Sequence, residues 1–176
     1  MSDPVLPPMD ELLPLFFDAA RHGDEAALGA LLRAGVDVEA ADARGHTALV
    51  LASYNGEEGA TRALLDAGAA PDGAPGFAGN SALMGVAFKG YLPIARLLLE
   101  RGADPDRRNA AGQTALMTAA LFGQGEMAEL LLARGADRDV VDDAGNTAAA
   151  LALAQGHAGL AERLRGHALP SKGGLP

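Results

Sequence analysis

The chain has 176 residues, with 14 basic and 23 acidic side chains that give a net charge of −9, and it contains no cysteine or tryptophan. The absence of cysteine excludes disulfide bonds, thiolate metal sites and a cysteine nucleophile, and the acidic balance disfavours a protein that tracks nucleic-acid phosphates. Ala and Leu dominate the apolar residues, while 23 Gly and 10 Pro interrupt the chain often. We therefore expect an all-α protein made of short helices.

The first residues of the chain give no indication of a targeting segment. Residues 1–4 include no basic side chain, and no apolar run of eight residues follows them. A secretory signal needs a basic region before an apolar stretch, and a membrane-spanning helix needs about 20 apolar residues. We expect neither, and we predict a cytoplasmic protein that does not bind membranes.

One pattern recurs along the chain. It contains a glycine, a variable residue, Thr or Ser, and alanine, and its hydroxyl residues are spaced by 34, 33 and 33 positions: Thr47, Ser81, Thr114 and Thr147. A glycine follows each hydroxyl residue by nine positions, a leucine pair follows the first three by 17 and 18, and a second glycine follows those by 21. Because these positions recur together at a spacing of 33 or 34 residues, they indicate an internal repeat.

We predict one repeat domain over residues 9–168, with tails at 1–8 and 169–176. Its five units are about 9–40, 41–74, 75–107, 108–140 and 141–168.

Each unit is predicted to contain two helices. The hydroxyl should cap the first helix by accepting a hydrogen bond from a backbone N–H, and the glycine nine positions later should end it. The second helices are expected over residues 58–66, 92–100, 125–133 and 158–166, with their leucines packed on neighbouring units. The first unit has Pro14 in place of the hydroxyl, and we expect Phe16 and Phe17 in its core. In the last unit Arg165 stands where the inner units have the second leucine of the pair. A charged residue at this position suits the end of a repeat array, where one face is exposed to water.

The motif Gly-x-Thr-Ala-Leu, the glycine nine residues after its threonine, the leucine run, and the Gly-Ala-Asp of residues 102–104 and 135–137 resemble the ankyrin repeat. This resemblance covers about residues 9–168 and implies helix-turn-helix units with projecting hairpin-like loops, stacked into a curved solenoid. The family often has histidine three residues after the threonine. This chain has Val50, Met84, Met117 and Ala150 there, which indicates apolar packing instead of a histidine hydrogen bond. Methionine at this place is similar to small bacterial ankyrin-repeat proteins.

No group of residues predicts a catalytic, cofactor or metal site. The histidines are scattered over the units and the C-terminal tail, and His157 is expected to stabilise a turn. Residues 104–106 and 137–139 resemble the start of a calcium loop, but the loop's glycine and glutamate are missing, so we interpret these aspartates as loop and capping residues. Residues 123–128 match a dinucleotide fingerprint in letters only, because no strand is expected before them. We predict that the protein is not an enzyme and binds no cofactor or metal.

The positions that do not repeat predict a binding surface. In the ankyrin family such a surface lies on the loop tips and on the exposed end of each first helix, and four of this chain's few aromatic residues fall there. The predicted protein-binding residues are Arg44, His46, Tyr54, Asn55, Phe77, Asn80, Phe88, Lys89, Gln113, Leu121 and Phe122. A competing interpretation packs Phe88 and Phe122 sideways between neighbouring units.

These observations favour a non-catalytic adaptor or scaffold that binds a protein partner through its loop tips and concave first-helix face, and that binds neither nucleic acid nor membranes. Two alternatives stay open. Small bacterial ankyrin proteins are often encoded beside a catalase, so the resemblance implies a possible accessory role in hydrogen-peroxide defence. An aromatic patch that meets its own copy would instead give a self-associating structural protein.

Overall fold

The computed structural model describes residues 7–73 and 79–166, and in this part of the chain it contains ten α-helices and no strands. The helices form five consecutive pairs. Their bounds are α1 Met9–His22, α2 Glu25–Arg33, α3 Ala48–Asn55, α4 Glu58–Asp66, α5 Ala82–Lys89, α6 Leu92–Glu100, α7 Ala115–Leu121, α8 Gly125–Ala133, α9 Ala148–Ala154 and α10 Ala158–Leu164.

The first helix of each repeated pair begins directly after its Thr or Ser. The hydroxyl oxygen of Thr47 accepts a hydrogen bond from the backbone N–H of Val50 at 3.4 Å, and Ser81 caps α5 in the same way at 3.3 Å. Thr114 and Thr147 cap α7 and α9 at 3.3 and 3.2 Å. The capping role predicted for the hydroxyl column is therefore confirmed, and it fixes where each of these helices starts.

The glycine at the end of each repeated first helix makes the backbone turn, and in the inner units it also lies against a side chain of the next unit. Gly123 has a φ of 68°, in the left-handed region that disfavours other residues. A Cβ atom placed on it would lie 2.7 Å from Cε1 of His157, the residue in the corresponding turn one unit later. The His157 ring therefore covers the Gly123 turn, which supports the turn-stabilising role expected for this histidine.

The helices form two packed layers. The first helices α1, α3, α5, α7 and α9 contact one another in sequence order, and the second helices α2, α4, α6 and α8 form the other row, with α10 against α9. Leu64, Leu98 and Leu131, from the predicted leucine column, are fully buried between these layers. The leucine column is thus buried, as the sequence predicted, and both rows of helices contact their neighbours in the stack.

The two ends of the array differ from the inner units. In α1 the chain continues helically through Pro14, and Phe16 and Phe17 are buried as expected. At the other end, α10 ends at Leu164, two residues before the predicted limit. The reason is that Gly166 already takes the left-handed conformation (φ 79°), whereas the inner units reach their glycine two residues later. The predicted C-terminal tail lies outside the described residues.

Acidic side chains in the loops join one unit to the next. Glu39 accepts a hydrogen bond from the backbone N–H of Ala70 at 2.6 Å, and Asp106 accepts one from Asp137 at 2.9 Å. Asp72 likewise accepts the N–H of Asp104 at 3.1 Å. These loop carboxylates therefore bond backbone groups of the following unit. Of the three, Asp106 belongs to the segments interpreted from the sequence as loop and capping residues.

Candidate functional site

An open groove of about 630 Å³ crosses the first helices α3, α5 and α7. It forms on one face of these helices because positions three, four and seven after each cap residue point the same way. Its floor consists of the apolar or small side chains Val50, Leu51, Met84, Gly85 and Met117. Met84 and Met117 are almost fully buried, so the floor belongs to the packed core.

Three rings, Tyr54, Phe88 and Phe122, form an aromatic ladder along this groove. The rings of Tyr54 and Phe88 are parallel, with centroids 6.1 Å apart, and Phe122 meets Phe88 edge to face at 4.5 Å. Tyr54 is 39 % exposed and Phe122 is 47 % exposed, while Phe88 between them is half-buried. The ladder therefore presents one apolar surface that spans the second, third and fourth units.

Gly85 permits the close approach of Tyr54 to the neighbouring helix. It lies inside α5, at a place where α3 has Leu51 and α7 has Thr118. A Cβ atom built on Gly85 would lie 3.3 Å from Cδ2 of the Tyr54 ring. The missing side chain thus leaves the space in which Tyr54 lies against α5, next to Phe88.

One basic side chain lies over the ladder, and two others line the groove. The ammonium group of Lys89 lies 4.6 Å from the centroid of the Tyr54 ring and 5.6 Å from that of Phe88, in cation–π geometry. Arg21 and Arg44 line the groove at its other end, together with Asp42. The described residues include no carboxylate paired with Arg44 or Lys89, whereas Arg21 lies 3.5 Å from Asp42.

Asp42 holds the loop tip that carries Arg44 and His46. Its Oδ1 atom accepts hydrogen bonds from the backbone N–H of Arg44 at 2.9 Å and of His46 at 3.0 Å. Burial raises the pKa of this carboxyl, but the two backbone donors and the nearby imidazole together outweigh burial, and the pKa is lowered. Asn109 bonds the loop tip before α7 in the same way, with its amide oxygen as the acceptor.

The structure brings most of the predicted binding residues into this one groove. The lining includes eight of them: Arg44, His46, Tyr54, Asn80, Phe88, Gln113, Leu121 and Phe122. Lys89 flanks the groove through its contact with Tyr54. Asn55 is exposed but lies outside the lining, and its amide donates to the backbone oxygen of Leu51 in its own helix at 2.8 Å. Phe77 lies outside the described residues.

The competing interpretation of Phe88 and Phe122 is correct in one respect. Phe88 does pack sideways between two units, but it packs against the other rings of the ladder and keeps part of its surface exposed. Phe122 is nearly half exposed. The two phenylalanines therefore have different environments within one surface.

The floor of the groove was missed by reasoning from the variable positions alone. The floor residues Val50, Leu51, Met84, Gly85 and Met117, and the further lining residues Arg21, Asp42 and Thr118, were not among the predicted residues. Helical spacing could have predicted most of these residues. Side chains three, four and seven residues after a cap residue lie on the same face of a helix. Arg21 carried no such signal, since the first unit lacks the opening motif.

No three His, Cys, Asp or Glu side chains within residues 7–73 and 79–166 are grouped closely enough to hold a metal ion. Among the described helices, none combines the length and the apolar character that crossing a membrane requires.

The fold is an all-α repeat solenoid. Its pairs of short helices stack in sequence order, one repeated pattern caps and ends them, and the layer of first helices carries the groove. A family model described as ankyrin repeats (3 copies) matches residues 16–109 and 83–169. The chain therefore belongs to the ankyrin repeat family, whose members are generally protein–protein interaction modules and typically non-catalytic. No curated protein sequence matches it.

Proposed function

We propose that this chain is a non-catalytic adaptor or scaffold that binds a protein partner in the groove across α3, α5 and α7. The observation that carries the proposal is the aromatic ladder, two of whose rings are 39 and 47 % exposed. Aromatic side chains bury a large area for little loss of conformational entropy, and they are among the commonest anchors of protein interfaces. An exposed apolar patch with a polar rim is typical of an interaction site.

The shape and the support of the groove agree with this proposal. It has a volume of about 630 Å³ and runs along three helices, so side chains that project from another protein can enter it. Because its floor consists of core side chains, the groove exists before a partner binds, and little ordering free energy is lost on association. Asn80 and Gln113 add amide side chains to the lining, and Asn109 donates to their oxygens at 2.8 and 3.4 Å.

The test compares the wild type with a variant in which Tyr54, Phe88 and Phe122 are all changed to Ala. Immobilised wild type is used to capture partners from cell extract, the partners are identified by mass spectrometry, and the affinity of each purified partner is then measured for both proteins. We expect the variant to bind at least tenfold more weakly. Each ring pair contributes about 0.5 to 1.5 kcal/mol beyond its area burial, and truncating the half-buried Phe88 removes about 1 kcal/mol of apolar burial as well. The free energy of unfolding should therefore fall by about 2 to 4 kcal/mol, with helical content retained.

A matched control removes exposed apolar side chains elsewhere. Leu15 and Leu153 are 58 and 48 % exposed and lie outside the groove. The Leu15→Ala, Leu153→Ala double variant should bind every partner as tightly as the wild type. The proposal is refuted if partners bind the triple variant as well as the wild type, or if the control loses as much affinity as the triple variant.

The same variants test self-association, in which a second copy would cover the ladder. Light scattering after size-exclusion chromatography gives the mass in solution at several concentrations. A monomer at all concentrations agrees with the proposal. A dimer that the triple variant abolishes would replace the adaptor function with self-association.

A further inference from the structure

The charge around the groove points to the chemistry of its occupant. We propose that the groove binds an acidic peptide segment, whose bulky apolar side chains pack on the aromatic ladder and whose carboxylates reach Lys89 and Arg44. This inference rests on the proposed function and specifies the class of partner that the same groove takes.

The groove has the opposite charge to the chain as a whole. The net charge of the chain is −9, but the charged residues at the groove are the basic Arg21, Arg44 and Lys89 and the acidic Asp42. Within the described residues, Asp42 is the only carboxylate in the lining. Its oxygens already accept two backbone N–H bonds and lie next to Arg21, so its negative charge is compensated locally. The groove therefore carries excess positive charge.

The two remaining cations are placed to meet a ligand. The side chains of Arg44 and Lys89 are exposed and form no ion pair with any described carboxylate. Lys89 is held over the Tyr54 and Phe88 rings, so a carboxylate bound to it would lie beside the apolar surface of the ladder. A peptide with adjacent acidic and apolar residues can contact the basic side chains and the aromatic ladder at the same time. Opposite charges across an interface also increase the rate of association and the selectivity for a partner.

A peptide fits these features better than a nucleic acid does. Binding to a nucleic-acid backbone depends on many cations that neutralise phosphates, whereas this groove offers two that form no ion pair with a described carboxylate, Arg44 and Lys89. Bases also need open ring faces for stacking, and Phe122 meets Phe88 edge-on with an interplanar angle of 88°.

The test selects ligands from a phage-displayed library of random 12-residue peptides on the wild type. We expect the enriched peptides to combine Asp or Glu with Leu, Phe or Trp. A synthetic copy of the most enriched peptide then gives affinities for the wild type and for the Arg44→Glu, Lys89→Glu variant, which should bind at least tenfold more weakly. Raising the salt concentration should weaken wild-type binding, since it screens the carboxylate contacts.

A control variant carries the same total charge. Arg33 and Arg96 are exposed and lie outside the groove lining, so Arg33→Glu, Arg96→Glu should bind the peptide as the wild type does. The inference is overturned if no peptide is enriched, if enriched peptides lack acidic residues, or if both double variants bind equally well. Displacement of the peptide by an equal concentration of single-stranded DNA would also overturn it.

The triple alanine variant separates this failure from failure of the proposed function. Peptides that lack acidic residues but bind more weakly to the triple variant would contradict only the charge of the ligand. Peptides that bind the triple variant and the wild type equally would show that the groove is not the binding surface, and both proposals would fall.

Discussion

Replacement of Gly85 by Ala is predicted to stabilise the protein and to weaken peptide binding. Gly85 lies inside α5, where alanine is favoured over glycine by up to about 1 kcal/mol. The new Cβ would lie 3.3 Å from Cδ2 of Tyr54, a distance at which the ring must move by a few tenths of an ångström. Tyr54 is 39 % exposed, so it can move towards solvent at little cost.

The magnitudes follow from these two contributions. We expect the free energy of unfolding to rise by about 0.5 to 1 kcal/mol, because the helix gains more than the exposed ring loses. The displaced ring contacts a ligand less well, and the loss of roughly half of one aromatic contact, about 0.25 to 0.75 kcal/mol, corresponds to an affinity about 1.5 to 3.5 times weaker.

Urea unfolding followed by circular dichroism gives the stability, and the acidic peptide selected on the wild type gives the affinity. The matched control is Gly29→Ala in α2, where the new Cβ would lie 3.3 Å from the end of the flexible Arg33 side chain. This control should gain similar stability with unchanged affinity. Equal affinities of Gly85→Ala and the wild type, or a loss of stability in Gly85→Ala, would refute the reasoning.

Three further predictions concern the repeat framework, and all are measured by urea or thermal unfolding. Leu98→Ala removes a fully buried side chain and should cost about 2 to 5 kcal/mol; an unchanged melting curve would contradict the assigned register. Gly123→Ala should lose more stability than Gly156→Ala, because both glycines have positive φ but only Gly123 is covered by the imidazole of the next unit; equal losses would rule out that contact. The lowered pKa of Asp42 means that its contribution to stability is present above about pH 4, its unfolded value, and is lost as pH falls through the lower folded value. Asp42→Asn keeps an acceptor oxygen, as Asn109 does naturally, and should reduce the loss of stability in acid; identical pH profiles would contradict this account.

Much of the framework could be predicted because its causes are local. Thr47 and the other cap residues act on an N–H three residues away, and glycines such as Gly123 act through their own backbone angles. The second helices Glu58–Asp66, Leu92–Glu100 and Gly125–Ala133 match the predicted ranges. Only α10 differs, where an earlier glycine ended the helix, and the glycine at 166 was visible in the sequence.

The groove depended on relations between units that no single repeat contains. The sequence indicated that Tyr54, Phe88 and Phe122 share a surface, but their unequal exposure arises because three neighbouring helices bring the rings within 4.5 to 6.1 Å of one another. The space for Tyr54 is supplied by a glycine from the following unit, and the charge at the groove depends on Arg21 from the first unit meeting Asp42 from the next loop. Sequence by itself therefore determined the repeat, because capping and turn formation are local. Tertiary structure decided the binding surface, because exposure and charge compensation follow from which side chains meet across the stack.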